Sequence, residues 1–146
     1  MSLWKIYFSV ISLAKLLILP TAVFSESGST QIKQTYRFNT LPDDGSYTIV
    51  INGLSGNFII SGNEGSGALI NIKKVLFEIE KKDISKMHKK ANAIVTHIEN
   101  ENKINITALT KEKNIQFIEN IIELNLPKHI NLDFNILGGD ITLKTI

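Results

Sequence analysis

ENIIELNLPKHINLDFNILGGDITLKTI, residues 119–146, is the stretch that decides the fold of this chain. Apolar and polar residues alternate in it on both sides of Pro127, which is the pattern of β-strands with one buried face. The expected inward residues are Ile122, Leu124 and Leu126 before the proline, and Ile130, Leu132, Phe134 and Ile136 after it. The stretch therefore predicts two half-buried strands.

A two-residue turn is predicted after the second of these strands, at Gly138 and Gly139. Counting outward from the turn pairs Leu137 with Asp140, Ile136 with Ile141 and Phe134 with Leu143. In this register the apolar residues of both strands lie on one face. We therefore expect residues 134–143 to form an antiparallel hairpin.

Period-two alternation also predicts strands along the preceding part of the chain. Their expected inward residues are Ile32, Tyr36 and Phe38; Tyr47, Ile49 and Ile51; Phe58 and Ile60; and Ile70 and Ile72, followed by Val75, Phe77 and Ile79. The change of parity in the last of these strands predicts a β-bulge near Lys73 and Lys74. Asn52-Gly53 and Gly56-Asn57 bracket an expected chain reversal.

A hairpin is predicted between residues 94 and 108. Ile94, Thr96 and Ile98 run into a loop at residues 100–102, and Ile104, Ile106 and Ala108 follow it. A three-residue loop would pair Ile98 with Ile104 and Thr96 with Ile106. We therefore expect these residues on the inward face, with His97 on the opposite face.

One short helix is predicted near residues 83–93. Asp83 can cap its start, and Ile84, Met87 and Ala91 recur at helical spacing, while the lysines of this segment lie largely on the other face. These patterns therefore predict a mainly β fold of stacked antiparallel sheets with this one helix.

Residues 1–25 have the features of a cleavable signal peptide. Lys5 precedes a mostly apolar run from Ile6 to Phe24, and a cut before Glu26 would follow the small residue Ser25. Lys15 would cost about 2.5 to 3.5 kcal/mol at the centre of a membrane-spanning helix, so the sequence favours cleavage over a retained N-terminal anchor. We therefore predict export to the periplasm, the cell envelope or the extracellular space.

Length and composition predict one domain behind this signal. The chain has 146 residues, of which Glu26 to Thr30 form a short polar spacer and residues 31–146 a single β-rich domain. No cysteine is present, which excludes a disulfide framework. Removing Lys5 and Lys15 from the 16 basic residues leaves 14 basic and 14 acidic residues in the mature chain. This neutral balance argues against a nucleic-acid partner.

A short pattern occurs twice: glycine, Asn or Asp, apolar, any residue, apolar. It is found at Gly56-Asn57-Phe58-Ile59-Ile60 and at Gly139-Asp140-Ile141-Thr142-Leu143. Together with the proline step in residues 124–132, the pattern resembles the bacterial exported adhesin family of toast-rack domains, whose function is unknown. The resemblance covers residues 47–146.

The resemblance implies a right-handed, solenoid-like stack of strands with β-helix character, on or near the cell envelope, and it implies no catalytic residues. Members of that family usually continue through several more of these repeats, whereas this sequence stops inside the first one after the proline step. Since stacked repeats need neighbours to cover their apolar ends, we expect either a shortened member whose last strand is an edge or a piece of a longer frame.

No residue pattern indicates a catalytic, cofactor-binding or metal-binding site. His88, His97 and His129 lack a metal-ligand spacing with a nearby carboxylate, and no nucleophile elbow is present. Asp43-Asp44-Gly45 and Gly138-Gly139-Asp140 do not form a complete calcium ligand set, and turn geometry explains both. We therefore predict no catalytic residue, no metal and no cofactor, with an enzyme that uses His97 or His129 as a less favoured alternative.

These observations predict an exported, non-enzymatic module that acts by presenting a surface, in the manner of an adhesin. Its expected partners are another copy of the chain or an envelope protein, bound through strand edges or through outward rows that include Asn125, Asn131, Asp133 and Asn135. No small-molecule substrate is indicated. The alternative is a membrane-tethered envelope-stress or signalling accessory protein, which would retain residues 1–25.

Overall fold

The computed structural model describes residues 21–24, 29–76, 86, 89, 91–108 and 117–144. In these residues ten strands form two sheets, and a 3-10 turn at Glu99–Glu101 lies between two of the strands. The strands are β1 (Thr21–Phe24), β2 (Thr30–Phe38), β3 (Thr48–Asn52), β4 (Asn57–Asn63), β5 (Ala68–Leu76), β6 (Ala93–Ile98), β7 (Lys103–Ala108), β8 (Phe117–Pro127), β9 (Asn131–Asn135) and β10 (Ile141–Lys144). The mainly β prediction is confirmed.

Both sheets are mixed and open. The first has six strands in the order β1-β2-β5-β8-β4-β10, and the second has four in the order β6-β7-β3-β9. Neighbours are antiparallel from β1 to β8 and from β6 to β7, whereas β8, β4 and β10 are parallel, as are β7, β3 and β9. The expectation of an antiparallel stack is therefore wrong for the part of each sheet that contains β3, β4, β9 and β10.

The two sheets share one apolar core. Side chains from both of them form a single cluster, to which the first sheet contributes Phe58, Ile70 and Ile122 and the second Ile49 and Ile104, all fully buried. The predicted inward parity is confirmed in β2, β3, β4 and β8, since branched and aromatic residues at alternate positions fit the inner face of a pleated sheet.

The predicted hairpin at Gly138-Gly139 is wrong. Strand β9 pairs with β3 in the second sheet, and β10 pairs with β4 in the first, so the chain crosses from one sheet to the other. Residues 53–56 make the same crossing between β3 and β4, which do not pair with each other either. The glycines therefore serve a crossing between sheets, and the reversals expected at residues 52–57 and 137–140 do not produce neighbouring strands.

The hairpin of β6 and β7 exists, but its predicted register is wrong by one residue. Ile98 pairs with Lys103 and His97 with Ile104, because the loop has four residues, 99–102, closed by Asn102 at a φ of 50°. A slip of one residue exchanges the two faces of a strand. As a result His97 lies on the inner face, and Ile94, Thr96 and Ile98 lie on the outer one.

The β-bulge predicted near Lys73 and Lys74 is absent from that position. Strand β5 keeps strict alternation through Ile72, Lys74 and Leu76, all of them buried, and its register against β8 shifts only between Val75 and Leu76. Lys74 thus takes an inward position that sequence patterning assigns to an apolar residue. Phe77 and Ile79 lie outside the described residues.

The predicted helix near residues 83–93 falls largely outside the described residues. Lys86, Lys89 and Ala91 are helical, with both lysines exposed and Ala91 buried, and β6 has begun by Ala93. The helical residues that are described therefore have the predicted division into a polar and an apolar face. Among the described residues, no helix has both the length and the apolar character to cross a membrane.

Two strand segments meet in the region assigned to the signal peptide and the spacer. Thr21–Phe24 forms β1, which pairs antiparallel with Thr30–Lys33 of β2. Thr30, the last residue of the predicted spacer, is 3% exposed. The first sheet thus includes four residues upstream of the predicted cleavage point at Ser25.

Candidate functional site

Two strand-glycine-strand units stack on each other at one end of the protein. We call residues 48–61, which contain β3 and β4, the middle unit, and residues 131–144, which contain β9 and β10, the end unit. Thr48 pairs with Asn131, Ser55 with Gly138 and Ser61 with Lys144, so a constant offset of 83 residues relates the two units. The repeated pattern found in the sequence therefore corresponds to two segments that lie side by side.

Glycine permits the close approach of the two units at the crossing. Gly56 and Gly139 have φ angles of 137° and 118°, a region that side-chain-bearing residues rarely adopt. A Cβ atom at Gly139 would collide with the backbone of Gly56, and a Cβ at Gly56 would collide with the backbone carbonyl of Asn120 on β8. Three layers of backbone are thus packed directly on each other at this corner.

Burial falls steeply across the stack toward the end unit. The inner residues of β8, Ile122 and Leu124, are at most 1% exposed, and those of β4, Phe58 and Ile60, at most 7%. Their counterparts in β10 have the same inward parity, but Ile141 is 46% and Leu143 73% exposed. Within the described residues, the apolar inner row of the first sheet therefore continues into solvent at β10.

The second sheet also ends at the end unit, where the apolar side chains of β9 are partly buried. Leu132 and Phe134 on β9 pack against the core cluster, and the Phe134 ring meets Phe58 edge to face at 5.7 Å between centroids. Leu137, between β9 and β10, is 58% exposed. Three of the four strongly exposed large apolar side chains among the described residues thus belong to the end unit.

Strand β10 also has backbone N–H and C=O groups that pair with no described strand. The Phe58 N–H donates to the Asp140 carbonyl at 2.8 Å, which fixes the side of the strand on which each residue bonds to β4. Since the N–H and C=O of one strand residue point to the same side, and the sides alternate, Asp140 and Thr142 face β4. The N–H and C=O of Ile141 and Leu143 face outward from the sheet, where no described strand pairs with them.

The outer faces of the units carry amides that fix the stacking register. The Asn135 Nδ2 donates to the Asn52 Oδ1 at 2.9 Å, which joins equivalent positions of the end and middle units. Asn131 donates through Nδ2 to the Gly45 carbonyl at 2.7 Å. In the first sheet, the Asn125 Nδ2 donates to the Ser61 Oγ at 2.9 Å. The predicted polar outward rows are therefore confirmed at these positions and bind the strands together.

His97 makes a half-buried polar contact with Tyr47, the residue just before β3. Its Nε2 makes a hydrogen bond with the Tyr47 Oη, its ring meets the Phe38 ring edge to face at 5.2 Å, and Glu99 Oε1 lies 4.0 Å from its Nδ1. Burial lowers the pKa of His97, and the negative charge of Glu99 opposes that shift. The imidazole is therefore favoured in its neutral form, as a structural partner of Tyr47.

His129 and Asp43 form an exposed pair between the turn after β8 and the loop before β3. The His129 Nδ1 lies 2.9 Å from the Asp43 Oδ1, which also accepts a hydrogen bond from the His129 N–H at 3.2 Å. Asp44 accepts two hydrogen bonds from Ser46, and these lower the pKa of Asp44. Asp44 therefore has the local turn role expected from the sequence, whereas Asp43 contacts His129 on a distant part of the chain.

The two histidines that the structure describes, His97 and His129, lie in separate environments. His97 is on the inner face of β6, His129 follows β8 on the surface, and His88 lies outside the described residues. In the part of the chain that is described, no three His, Cys, Asp or Glu residues are grouped as metal ligands would be. Tyr36 and Tyr47 are both buried, as predicted, which removes them as an exposed aromatic platform.

The exposed residues Leu137, Ile141 and Leu143 were not predicted from the sequence as a site. The signal was present, because TIVINGLSGNFIIS at 48–61 aligns without gaps on NLDFNILGGDITLK at 131–144. Extending the five-residue repeat backward over the preceding strand would have predicted parallel stacking. The hairpin prediction instead placed Ile141 and Leu143 inside a covered sheet.

Comparison with known proteins adds no relative. No family model matches the sequence, and neither the curated proteins nor the solved structures contain a match.

Proposed function

We propose that this protein is an exported, non-enzymatic interaction module that binds a partner at the cell envelope through the open edge of its end unit. The observation that carries the proposal is the exposure of Ile141 and Leu143 on a row whose earlier members form the core. Large apolar side chains at a sheet edge are characteristic of surfaces that another chain covers.

Strand addition is the mode of binding that this edge supports. The outward N–H and C=O groups of Ile141 and Leu143 can pair with an incoming strand, and the two side chains supply apolar contact on its inner face. Edge strands are commonly protected by proline, a bulge or an inward-pointing charge. Strand β10, Ile-Thr-Leu-Lys, contains no proline, and its lysine shares parity with the outer residue Thr142.

We further propose that the stack has solenoid character, as the resemblance to toast-rack domains implies. The constant offset of 83 residues between middle and end unit supports this, because solenoid repeats stack in a fixed register. A solenoid unit without a neighbour leaves its apolar end uncovered, which agrees with the fall in burial toward β10.

The membrane-tethered accessory protein is the second candidate, and β1 favours it. Thr21–Phe24 pairs with β2, so retention of residues 1–25 would give the first sheet an additional strand. Cleavage before Glu26 would remove that strand together with the tether. Mass spectrometry of the accumulated protein separates the two: a new N-terminus at Glu26 supports the free exported module, and an intact N-terminus supports the tether.

The binding edge is tested by photo-cross-linking in cells that express the full chain. A photoreactive amino acid at Ile141 is expected to give a cross-linked product in the envelope fraction. Leu143→Pro should abolish the product, because it removes an outward N–H and leaves the hydrogen bonds to β4 intact. Leu143→Thr, which keeps the N–H, is the matched control and should retain part of it.

Two results would contradict the proposed edge. The first is a wild-type chain that gives no product at position 141. The second is an equal yield from Leu143→Pro and wild type.

A further inference from the structure

We infer that the partner of the β10 edge is a second copy of this chain, bound by antiparallel pairing of two β10 strands around a two-fold axis at Thr142. The inference rests on the proposed function, since it names the occupant of the same edge. It follows from the direction of the backbone groups, the positions of two charges and the exposed apolar pair.

The backbone restricts the possible registers. In the described part of β10, only Ile141 and Leu143 direct their N–H and C=O groups outward, so each of them must face another outward residue of the second copy. A two-fold axis at Thr142 places Ile141 opposite Leu143 of the second copy, and the reverse by symmetry. Each of these pairs exchanges two hydrogen bonds, which gives four bonds across the axis.

Two charged side chains favour this register over the neighbouring registers. Asp140 and Lys144 are both exposed and share parity with Thr142, so they lie on the outer face of the sheet. With the axis at Thr142, Asp140 faces Lys144 of the second copy, and symmetry repeats the ion pair on the other side. An axis at Ile141 would put Asp140 opposite Thr142 of the second copy. An axis at Leu143 would put Lys144 opposite that Thr142. Only the axis at Thr142 therefore pairs opposite charges directly across the strands.

The inner face is apolar in the same register. Ile141, 46% exposed, would lie against Leu143 of the second copy, 73% exposed in the free chain. The two first sheets would then form one continuous sheet with an uninterrupted apolar inner row. A four-residue strand buries less surface than the roughly 1,200 Å² of a stable interface, so we expect a weak dimer with a dissociation constant on the order of 10 to 100 μM.

Disulfide trapping tests the axis directly, because the chain contains no cysteine of its own. Thr142 would face its own symmetry copy as a non-hydrogen-bonded pair, with Cα atoms about 4.5 Å apart, which is within the range that a disulfide spans. Full-length Thr142→Cys, purified in the processing state in which it accumulates, should form a disulfide dimer under mild oxidation.

The matched control is Ile59→Cys, which is adjacent to Thr142 on β4. The two Ile59 positions would be about 14 Å apart across the axis, too far for a bond. We expect oxidation of Thr142→Cys to be at least about tenfold faster than that of Ile59→Cys at equal protein concentration.

Charge exchange tests the register without cysteine. Asp140→Lys or Lys144→Asp alone places like charges opposite each other twice, and each should weaken dimerisation about tenfold in sedimentation velocity. The double variant Asp140→Lys/Lys144→Asp restores both pairs and should recover the affinity of the wild type. This recovery distinguishes a direct charge pair from a general loss of stability.

The results separate this inference from the proposed function. Equal oxidation of Thr142→Cys and Ile59→Cys, or a double variant as weak as the single ones, overturns the two-fold dimer. If position 141 then still cross-links a different chain and Leu143→Pro abolishes the product, the edge binds a heterologous partner and the proposed function stands. Loss of both the disulfide and the cross-link overturns both.

Discussion

Replacement of Gly56 by alanine should destabilise this protein far more than the same change at Gly53. Both glycines lie in the crossing between β3 and β4, and both have positive φ angles, 137° for Gly56 and 71° for Gly53. They differ in their surroundings. A Cβ at Gly53 meets nothing within 4 Å, whereas a Cβ at Gly56 would collide with the Asn120 carbonyl.

The expected magnitudes follow from backbone strain and from the collision. At Gly53 an alanine in the left-handed region costs about 1 to 2 kcal/mol, reduced by roughly 0.5 kcal/mol because alanine restricts the unfolded chain. At Gly56 the backbone region is nearly exclusive to glycine and costs about 1 to 3 kcal/mol. Separating β8 from the crossing adds about 1 to 3 kcal/mol, as for overpacked cores. With the same reduction applied at both positions, we expect about 1 kcal/mol at Gly53 and about 2 to 5 kcal/mol at Gly56.

Urea unfolding followed by intrinsic fluorescence or circular dichroism measures the difference. With a slope of about 2 kcal/mol per molar urea, in the middle of the usual range, Gly56→Ala should have its midpoint roughly 0.5 to 2 M below that of Gly53→Ala. Equal midpoints for the two variants would refute the reasoning, since the contact of Gly56 with β8 would then contribute nothing to stability. A larger loss for Gly53→Ala would refute it as well.

Two further predictions concern polar groups between the sheets. Gln34→Leu should lower the free energy of unfolding by about 1 to 3 kcal/mol, because the buried Gln34 amide accepts from the Ala93 N–H at 2.9 Å and donates to the Ala93 carbonyl at 3.1 Å. Gln31→Leu on the same strand, which is partly exposed, should cost less than about 0.5 kcal/mol in the same urea titration, and equal losses would contradict the role of Gln34. The folded pKa of His97 is lowered by burial, so the unfolded chain binds the extra proton first, and wild-type stability should fall as the pH drops below about 6.5. His97→Gln should lose less stability over the same interval, as measured by unfolding midpoints from pH 7.5 to 5, and parallel curves for the two proteins would contradict this.

The faces of most strands could be predicted from sequence because period-two alternation is a local signal. Ile49, Ile51, Phe58 and Ile60 are inward in the structure, as their spacing predicts. The pairing of strands is not local. The rule that two adjacent glycines make a hairpin considers only their own φ angles, whereas Gly139 is required by the backbone of Gly56, 83 residues earlier.

The register of β6 shows how a tertiary contact overrides a local pattern. Apolar residues at 94 and 98 favoured an inward face for them, but the loop gains one residue through the 3-10 turn and Asn102. His97 then lies inward, where Tyr47 supplies a hydrogen-bond partner and Phe38 an aromatic contact. No feature of residues 94–98 alone indicates those two partners, which come from other strands.

Antiparallel and parallel strand pairs lie at different ends of the molecule. Antiparallel strands β1, β2, β5 and β6 occupy one end, and the parallel strands β9 and β10 the other. An added 14-residue segment with the spacing of residues 131–144 would find parallel partners at the second end, in the register that β9 and β10 keep with β3 and β4. The antiparallel end has no such pair of parallel strands among the described residues, so an added segment of this kind would fit one end of the stack and not the other.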